Sequence, residues 1–245
     1  MKSRGRLSLV GLALSCVVAA PAVAGIAPYV RVDFGGSQFR MTDGNSRIRE
    51  TETAFKTAGY TVDFHEVGTG YGSGAAAGLW LLPGFRVGAT YSLLKSSLEN
   101  YVHVPGDVFF ADELQFRMSE IGAEAAVRIR SLAGLTLGAN VARGRAELVE
   151  AYTVEDYYAS SFYYQDGTGN RTVTTYGGYV GLDQTNPAGV VGFIRAGFQY
   201  RDVGRMPFHM VVSDGVTSSP VDGETIWLDY SGFYVKAGVG FDLVR

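Results

Sequence analysis

Cysteine is almost absent from this chain: Cys16 is the one thiol in 245 residues. It lies in a stretch expected to be removed, so the remaining chain should have no disulfide, no thiolate metal site and no cysteine nucleophile. Histidine is scarce as well. His65, His103 and His209 form no HExxH pattern and no paired ligand spacing, and a three-histidine metal site would need three distant loops to converge. No glycine-rich phosphate loop is present. Lysines are few, and acids outnumber bases 24 to 21, which argues against nucleic acid as a partner. Past the N-terminus no run reaches about 18 apolar residues, so no transmembrane helix is expected. Ala75 to Leu82 is the greasiest stretch, and Pro83-Gly84 stops it.

What the chain does have begins with an address. Lys2, Arg4 and Arg6 precede a mostly apolar Leu7 to Ala20, and Ala22-Val23-Ala24 gives the small-x-small pattern read by signal peptidase. Residues 1–24 read as a cleaved signal peptide, with the mature chain running from Gly25 to Arg245. Its net charge is near −6 once the three N-terminal bases are gone. Lipidation at Cys16 is the rival, but Ala13 stands where such sites want leucine, and Val17-Val18 follow.

The mature chain is rich in Gly, Tyr and Phe, and about eight segments alternate with the period of a strand. The last is clearest: Phe233, Val235, Ala237, Val239, Phe241 and Leu243 against Tyr234, Lys236, Gly238, Gly240 and Asp242. Val30, Val32 and Phe34 oppose Tyr29, Arg31 and Asp33 in the first. Val67 to Leu82 is so rich in Gly and Ala that its faces are hard to assign. The fourth segment changes phase near Ser119-Glu120, as a bulge or a strand running beyond a membrane would.

Connections alternate in length. Short ones fall at Leu82 to Gly84, Ser131 to Gly134 and Asp183 to Gly189. Long ones run over Arg40 to Glu66, Lys95 to Glu113, Glu150 to Arg171 and Asp202 to Ile226. Four long and three short links between eight strands are the pattern of outer-membrane barrels. The expected fold is therefore all-β: an eight-stranded antiparallel up-and-down transmembrane β-barrel over 25–245, in the outer membrane of a Gram-negative bacterium. Its polar row of Gly with Arg, Asp, Glu and Gln suits a narrow interior, unlike the Lys/Glu coat of a soluble barrel. Tyr29, Trp80, Phe85 and Phe241 near the short turns, and Tyr91, Tyr200 and Tyr230 near the long loops, are expected at headgroup level.

Lys236, Gly238, Phe241 and Leu243 fill the polar–x–Gly–x–x–hydrophobic–x–hydrophobic pattern, which resembles the C-terminal assembly signal of outer-membrane barrels. The resemblance implies recognition by the barrel-assembly machinery. Val244-Arg245 follow where the commonest form ends on an aromatic. Taken whole, the mature chain resembles the small OmpA/OmpX-type barrels, and nothing in it resembles a peptidoglycan-binding module.

Arg31, Asp33, Arg86, Glu124, Arg128, Arg195, Lys236 and Asp242 are expected as lumen charges that pair across the interior, since an eight-stranded barrel is barely wide enough for its own side chains. A narrow solute channel is the alternative. A surface enzyme acting on lipid or peptide is less favoured, because no histidine has a serine two residues on, and no catalytic, cofactor or metal residues are assigned. Function should then reside in the loops. Tyr157, Tyr158, Tyr163 and Tyr164 are the candidate contacts to an unknown surface partner, beside outer-membrane lipid. Ala146 to Leu182 reads as two strand arms reversing at Asp166-Gly167-Thr168-Gly169-Asn170, with Gly167 at the exposed tip.

Overall fold

The computed structural model describes residues 26–38, 41–156, 161–214 and 217–242. The signal peptide over 1–24, Tyr157, Tyr158 and Leu243 lie outside them. The elements are β1 (Ala27–Gln38), α1 (Thr42–Thr57), β2 (Thr69–Leu82), β3 (Phe85–Val104), β4 (Val108–Ile129), β5 (Leu135–Asp156), β6 (Ser161–Thr185), β7 (Val190–Tyr200), β8 (Asp202–Ser213), β9 (Ser218–Asp229) and β10 (Gly232–Asp242).

Strands β1 to β7 pair in sequence order, β7 pairs with β10, and β10 returns to β1, closing an eight-stranded antiparallel ring. The β8–β9 hairpin continues the last two staves upward. Gly232 opposite Gln199 and Asp202 opposite Asp229 belong to one register, broken only by irregularities at Gly204 and Phe208. Gly204, at φ 65°, shifts the inward parity of the stave by one residue.

Three of the four long loops expected from the sequence are strands. β3 to β6 are 20, 22, 22 and 25 residues long, about twice the 9–11 needed to cross a bilayer. The misreading has one cause. Each strand exchanges its polar and apolar faces partway along without changing register, so alternation seems to stop where it only inverts. On β4 the outward row reads Glu113, Gln115, Arg117, Ser119 and then Ile121, Ala123, Ala125, Val127. The inward row reads Phe110, Leu114, Phe116, Met118 and then Glu120, Glu124, Arg128. The β4 ladders to β3 and β5 are unbroken through this point, so the phase change at Ser119-Glu120 is a strand running on and not a bulge. β3 inverts at Leu93-Leu94 and β5 between Val141 and Arg143.

The molecule thus has two storeys. The lower one is apolar outside: Ile121 is 69% exposed and Phe233 68%. Its outward row on β10, Phe233 to Phe241, spans about 20 Å along the barrel axis at usual rise and tilt, close to the apolar band of about 25 Å of outer-membrane barrels. The upper storey, the head, is apolar inside, with a core that includes Phe110, Phe116, Leu148, Met206, Phe208 and Leu228.

Two further expectations are corrected. Asp156 pairs with Ser161, so β5 turns into β6 between them, and Asp166 to Asn170 lies within β6. Gly167 and Gly169 are packing glycines: a Cβ at Gly167 would stand 2.0 Å from the Phe208 ring, and one at Gly169 2.8 Å from Met206 Sδ. Tyr29, Trp80 and Tyr230, expected at headgroup level, point inward and are buried, while Tyr91, Tyr200 and Phe241 do face out. Inward rings explain the glycines of the lower storey. Gly88 faces the Tyr29 hydroxyl, Gly138 the Tyr179 ring and Gly238 the Phe193 ring, each too close for a side chain. The same argument settles β2, whose inward row is Gly70, Gly72, Gly74, Ala76, Gly78 and Trp80.

The sequence expected only a loop between β1 and β2; it contains α1. The helix ends on a Schellman motif. Gly59 N–H donates to the Lys56 carbonyl (3.1 Å) and Tyr60 N–H to the Phe55 carbonyl (3.0 Å), with Gly59 at φ 96°. The hydrophobic contact that accompanies such a stop is present as the edge-to-face pair Phe55–Tyr60 at 5.7 Å.

Gly138→Leu should prevent barrel closure, because the ring it meets is held in the lumen. Gly192→Leu should be tolerated, since nothing lies within 4 Å of a Cβ there. Heat-modifiable mobility in detergent gels separates the two outcomes.

Candidate functional site

Two places could carry function: the lumen and a cavity in the head. In the lumen the eight expected charges are brought together. Arg31 binds Asp183 at 2.6 Å and Asp242 at 3.3 Å; Arg86 binds Asp183 at 2.7 Å and lies 3.5 Å from Glu124. Arg195 reaches Glu124 at 3.4 Å, Arg128 reaches Asp242 at 3.6 Å, and Lys236 reaches Asp33 at 3.3 Å. Glu124 is the hub. It also accepts the Tyr29 hydroxyl at 3.0 Å and the Tyr179 hydroxyl at 3.2 Å. Guanidinium faces lie over rings as well, Arg195 4.4 Å from the Phe193 centroid and Arg86 5.3 Å from that of Trp80.

Three members lie beyond the eight expected lumen charges: Glu120, Asp183 and Arg201, the last on the polar row that alternation already assigns with Arg195 and Gln199. Glu120 and Arg201 pair at 3.3 Å near the top of the lumen, and Glu120 also accepts Ser92 Oγ at 3.1 Å and the Thr175 hydroxyl. Parity would have found them. Glu120 shares the inward row of Glu124, Arg201 that of Gln199, and Asp183 continues Thr175, Gly177, Tyr179, Gly181. Asp183 falls in the expected turn because β6 runs three residues past Leu182, to Thr185.

The lumen is filled. A cavity of about 50 Å³ beside Glu124, Asn140 and Arg195 has room for a water or two. Above it Phe116 and Tyr230 stack at 3.5 Å and 13°, an apolar floor between lumen and head. Of the assembly-signal residues, Lys236 is tied to Asp33, Gly238 makes room for Phe193, and Phe241 lies outward in the apolar band.

The head cavity is larger, about 490 Å³, between α1 and the inner faces of β4, β5, β6 and β9. Met41, Ile48, Leu114, Leu148 and Ile226 make it greasy; Asp112, Glu150, Arg47 and Gln165 give it polar points. Burial, then the nearby Glu150 carboxylate, push the Asp112 carboxyl up to about 6, against the opposing pull of Arg47. Burial and the same carboxylates also raise the Tyr152 phenol. Tyr163 meets Tyr152 edge to face at 5.9 Å and donates to Gln165 Oε1 at 3.1 Å, while Tyr164 is a ladder position opposite Thr153 and Ser213. The described tyrosines are therefore parts of strand arms. None of the three histidines lines this cavity, and among the described residues no group of three or more His, Cys, Asp or Glu is placed to hold a metal ion.

No protein-family model and no curated protein matches the chain. Solved structures do, among them several outer-membrane proteins. Neisserial surface protein A is 14% identical, with 89% of this chain and 98% of that one covered and a TM-score of 0.41. A major outer membrane protein from Thermus thermophilus is 11% identical, with 88% and 99% covered and a TM-score of 0.48. CarO from Acinetobacter baumannii is 13% identical, with 91% and 99% covered and a TM-score of 0.41.

Glu124→Ala should cost about 3–5 kcal/mol, because it strands buried arginines. Urea unfolding in lipid vesicles measures it. Asp112 carries an opposite sign. Its folded pKa lies above the unfolded one, so the native state binds more protons between about pH 4 and pH 6, and stability falls as pH rises through that window. Asp112→Asn should stabilise the head at pH 7 by on the order of 1 kcal/mol. Hydrogen exchange of the upper β4 and β5 amides, compared at pH 4 and pH 7, should lose its pH dependence beyond the intrinsic rate in the variant.

Proposed function

We propose that this protein is a non-conducting outer-membrane barrel that anchors a folded head at the cell surface, where the head makes the contacts that are its function. One observation carries this reading: β3, β4 and β5 turn their apolar faces outward below one level and inward above it, in unbroken register. An apolar exterior around a charged interior suits lipid and is ruinous in water; the reverse holds above. Orientation follows from the short turns, which gather at one end and each accept a bond from the end of a nearby strand. Arg128 N–H donates to Gly84, Asp183 N–H to Gly134 and Asp242 N–H to Gly189. Short turns belong on the periplasmic side, so the head faces outward.

The filled lumen and the Phe116–Tyr230 floor support an anchor over a solute path. A recognition role, rather than a catalytic one, is supported by the head cavity's greasy wall and separate polar points, without a nucleophile–base pair along it.

Arginine scanning along the outward row of β4 tests the anchor. Ala125→Arg, in the middle of the apolar stretch of that row, should impair assembly by about 2–4 kcal/mol, while Gln115→Arg, on the same face ten residues higher, should have no effect. Equal tolerance would sink the membrane placement. An epitope at Gly106, in the exposed turn between β3 and β4, should be reached by antibody on intact cells, and purified protein should give no long-lived current in planar bilayers.

A further inference from the structure

Immediately above the apolar band, one sector of the exterior is basic. Lys95 on β3, Arg117 on β4, and Arg143 and Arg145 on β5 all point outward and are exposed. Lys95 stands directly opposite Arg117 in the β3–β4 ladder. Arg117 stands opposite Glu147, Arg145 opposite Ser119 and Arg143 opposite Ile121. Each of these side chains therefore leaves the sheet within about 8 Å of the next, the row from Lys95 to Arg143 spanning about 16 Å. Just beneath them the outward row turns apolar at Tyr91, Ile121 and Val141. Glu147 neutralises part of the cluster through Arg145 at 3.2 Å, and Arg117 donates to Gln115 at 3.1 Å. On β7 to β9 the corresponding exterior carries Tyr200, Asp202 and Asp229, with Arg205 above them.

A like-charge pair directly across a ladder is destabilising. Here it lies where headgroups of the outer leaflet would sit, with further arginines beside it. We infer that this sector is a binding site for the phosphate groups of an outer-leaflet lipid headgroup, with Lys95, Arg117, Arg143 and Arg145 as its ligands. The inference rests on the membrane placement proposed above. Arginine forks grip phosphate oxygens in pairs, and the acyl chains of the same lipid would lie along Tyr91, Ile121 and Val141. A free anion would use the basic groups alone; a lipid uses both rows.

The test is lipid retention by the purified full-length protein in detergent, read by native mass spectrometry. The probes are diphosphoryl lipid A, the same lipid enzymatically dephosphorylated, and inorganic phosphate as competitor. The phosphorylated lipid should bind at least about tenfold more tightly. Arg143→Gln with Arg145→Gln, and separately Lys95→Gln with Arg117→Gln, should each weaken binding of the phosphorylated lipid by about 25-fold, as basic side chains at an anionic surface contribute about fivefold apiece. Glu147→Gln should strengthen binding, an effect a merely structural carboxylate would not give. Arg205→Gln, on the exterior of β8, should leave it unchanged. Equal retention of both lipids, or full displacement by equimolar inorganic phosphate, would overturn the site while leaving the barrel in place. A protein that stays monodisperse without detergent would overturn the membrane placement itself.

Discussion

The charges inside the barrel must neutralise one another, and the rest of the lower storey follows from that requirement. Arg31 and Arg86 are almost wholly enclosed, at 1% and 0% exposure. Taking such ions out of water costs several kcal/mol each unless partners and hydrogen bonds return it. Asp183 answers both guanidiniums, and Glu124 gathers two arginines and two phenols. These partners come from β1, β3, β4, β6 and β7, so the network ties staves that are not neighbours. The barrel is in this sense cross-braced through its middle.

Bracing of this kind consumes volume. Guanidiniums that pair across the lumen, and rings that lie beneath them, leave no room for side chains on the strands they cross. Hence inward positions 78, 88, 138, 197 and 238 are glycine, each within 3.0 Å of a tyrosine or phenylalanine ring if given a Cβ. Glycine weakens a strand taken alone. In a closed barrel, where each strand pairs on both sides, that weakness is offset by the aromatic ring placed over it.

The lower storey was legible in the sequence because its signal is period-two alternation with a constant sense, as in β10, where every inward and outward position from Phe233 to Asp242 was assigned as found. The head was not legible, because the same alternation continues with its sense reversed. Lys95 to Glu113 reads as a loop and Ser119-Glu120 as a change of phase, although parity never changes. α1 hid for another reason. Only Ile48 and Phe55 mark its packed face among polar residues, and its clearest signal was its stop at Ala58-Gly59-Tyr60. The head cavity lay beyond reach, since Asp112 and Glu150 meet only through the β4–β5 ladder, and Glu150 had been placed at the start of a loop.

The difference in strand length between the two halves of the ring explains why a helix is needed at all. β1 ends at Gln38 and β2 begins at Thr69, so above the apolar band the ring lacks two staves. β3 and β9 are then left with open edges, each a row of unpaired backbone groups. Within lipid such edges are excluded; in water they invite pairing with another chain. The segment after α1 covers β3, where His65 N–H donates to Asn100 Oδ1 at 2.8 Å and Asn100 Nδ2 returns to the His65 carbonyl at 3.1 Å. α1 itself packs against β9, and Phe55 and Phe64 close over Phe110 at 5.0 and 5.2 Å. A helix seals this gap without completing the ladder, and so leaves space between itself and the sheet. The cavity beneath α1 is that space: two strands would have filled the ring as the lower storey is filled, whereas one helix leaves the head closed at its edges and hollow behind them.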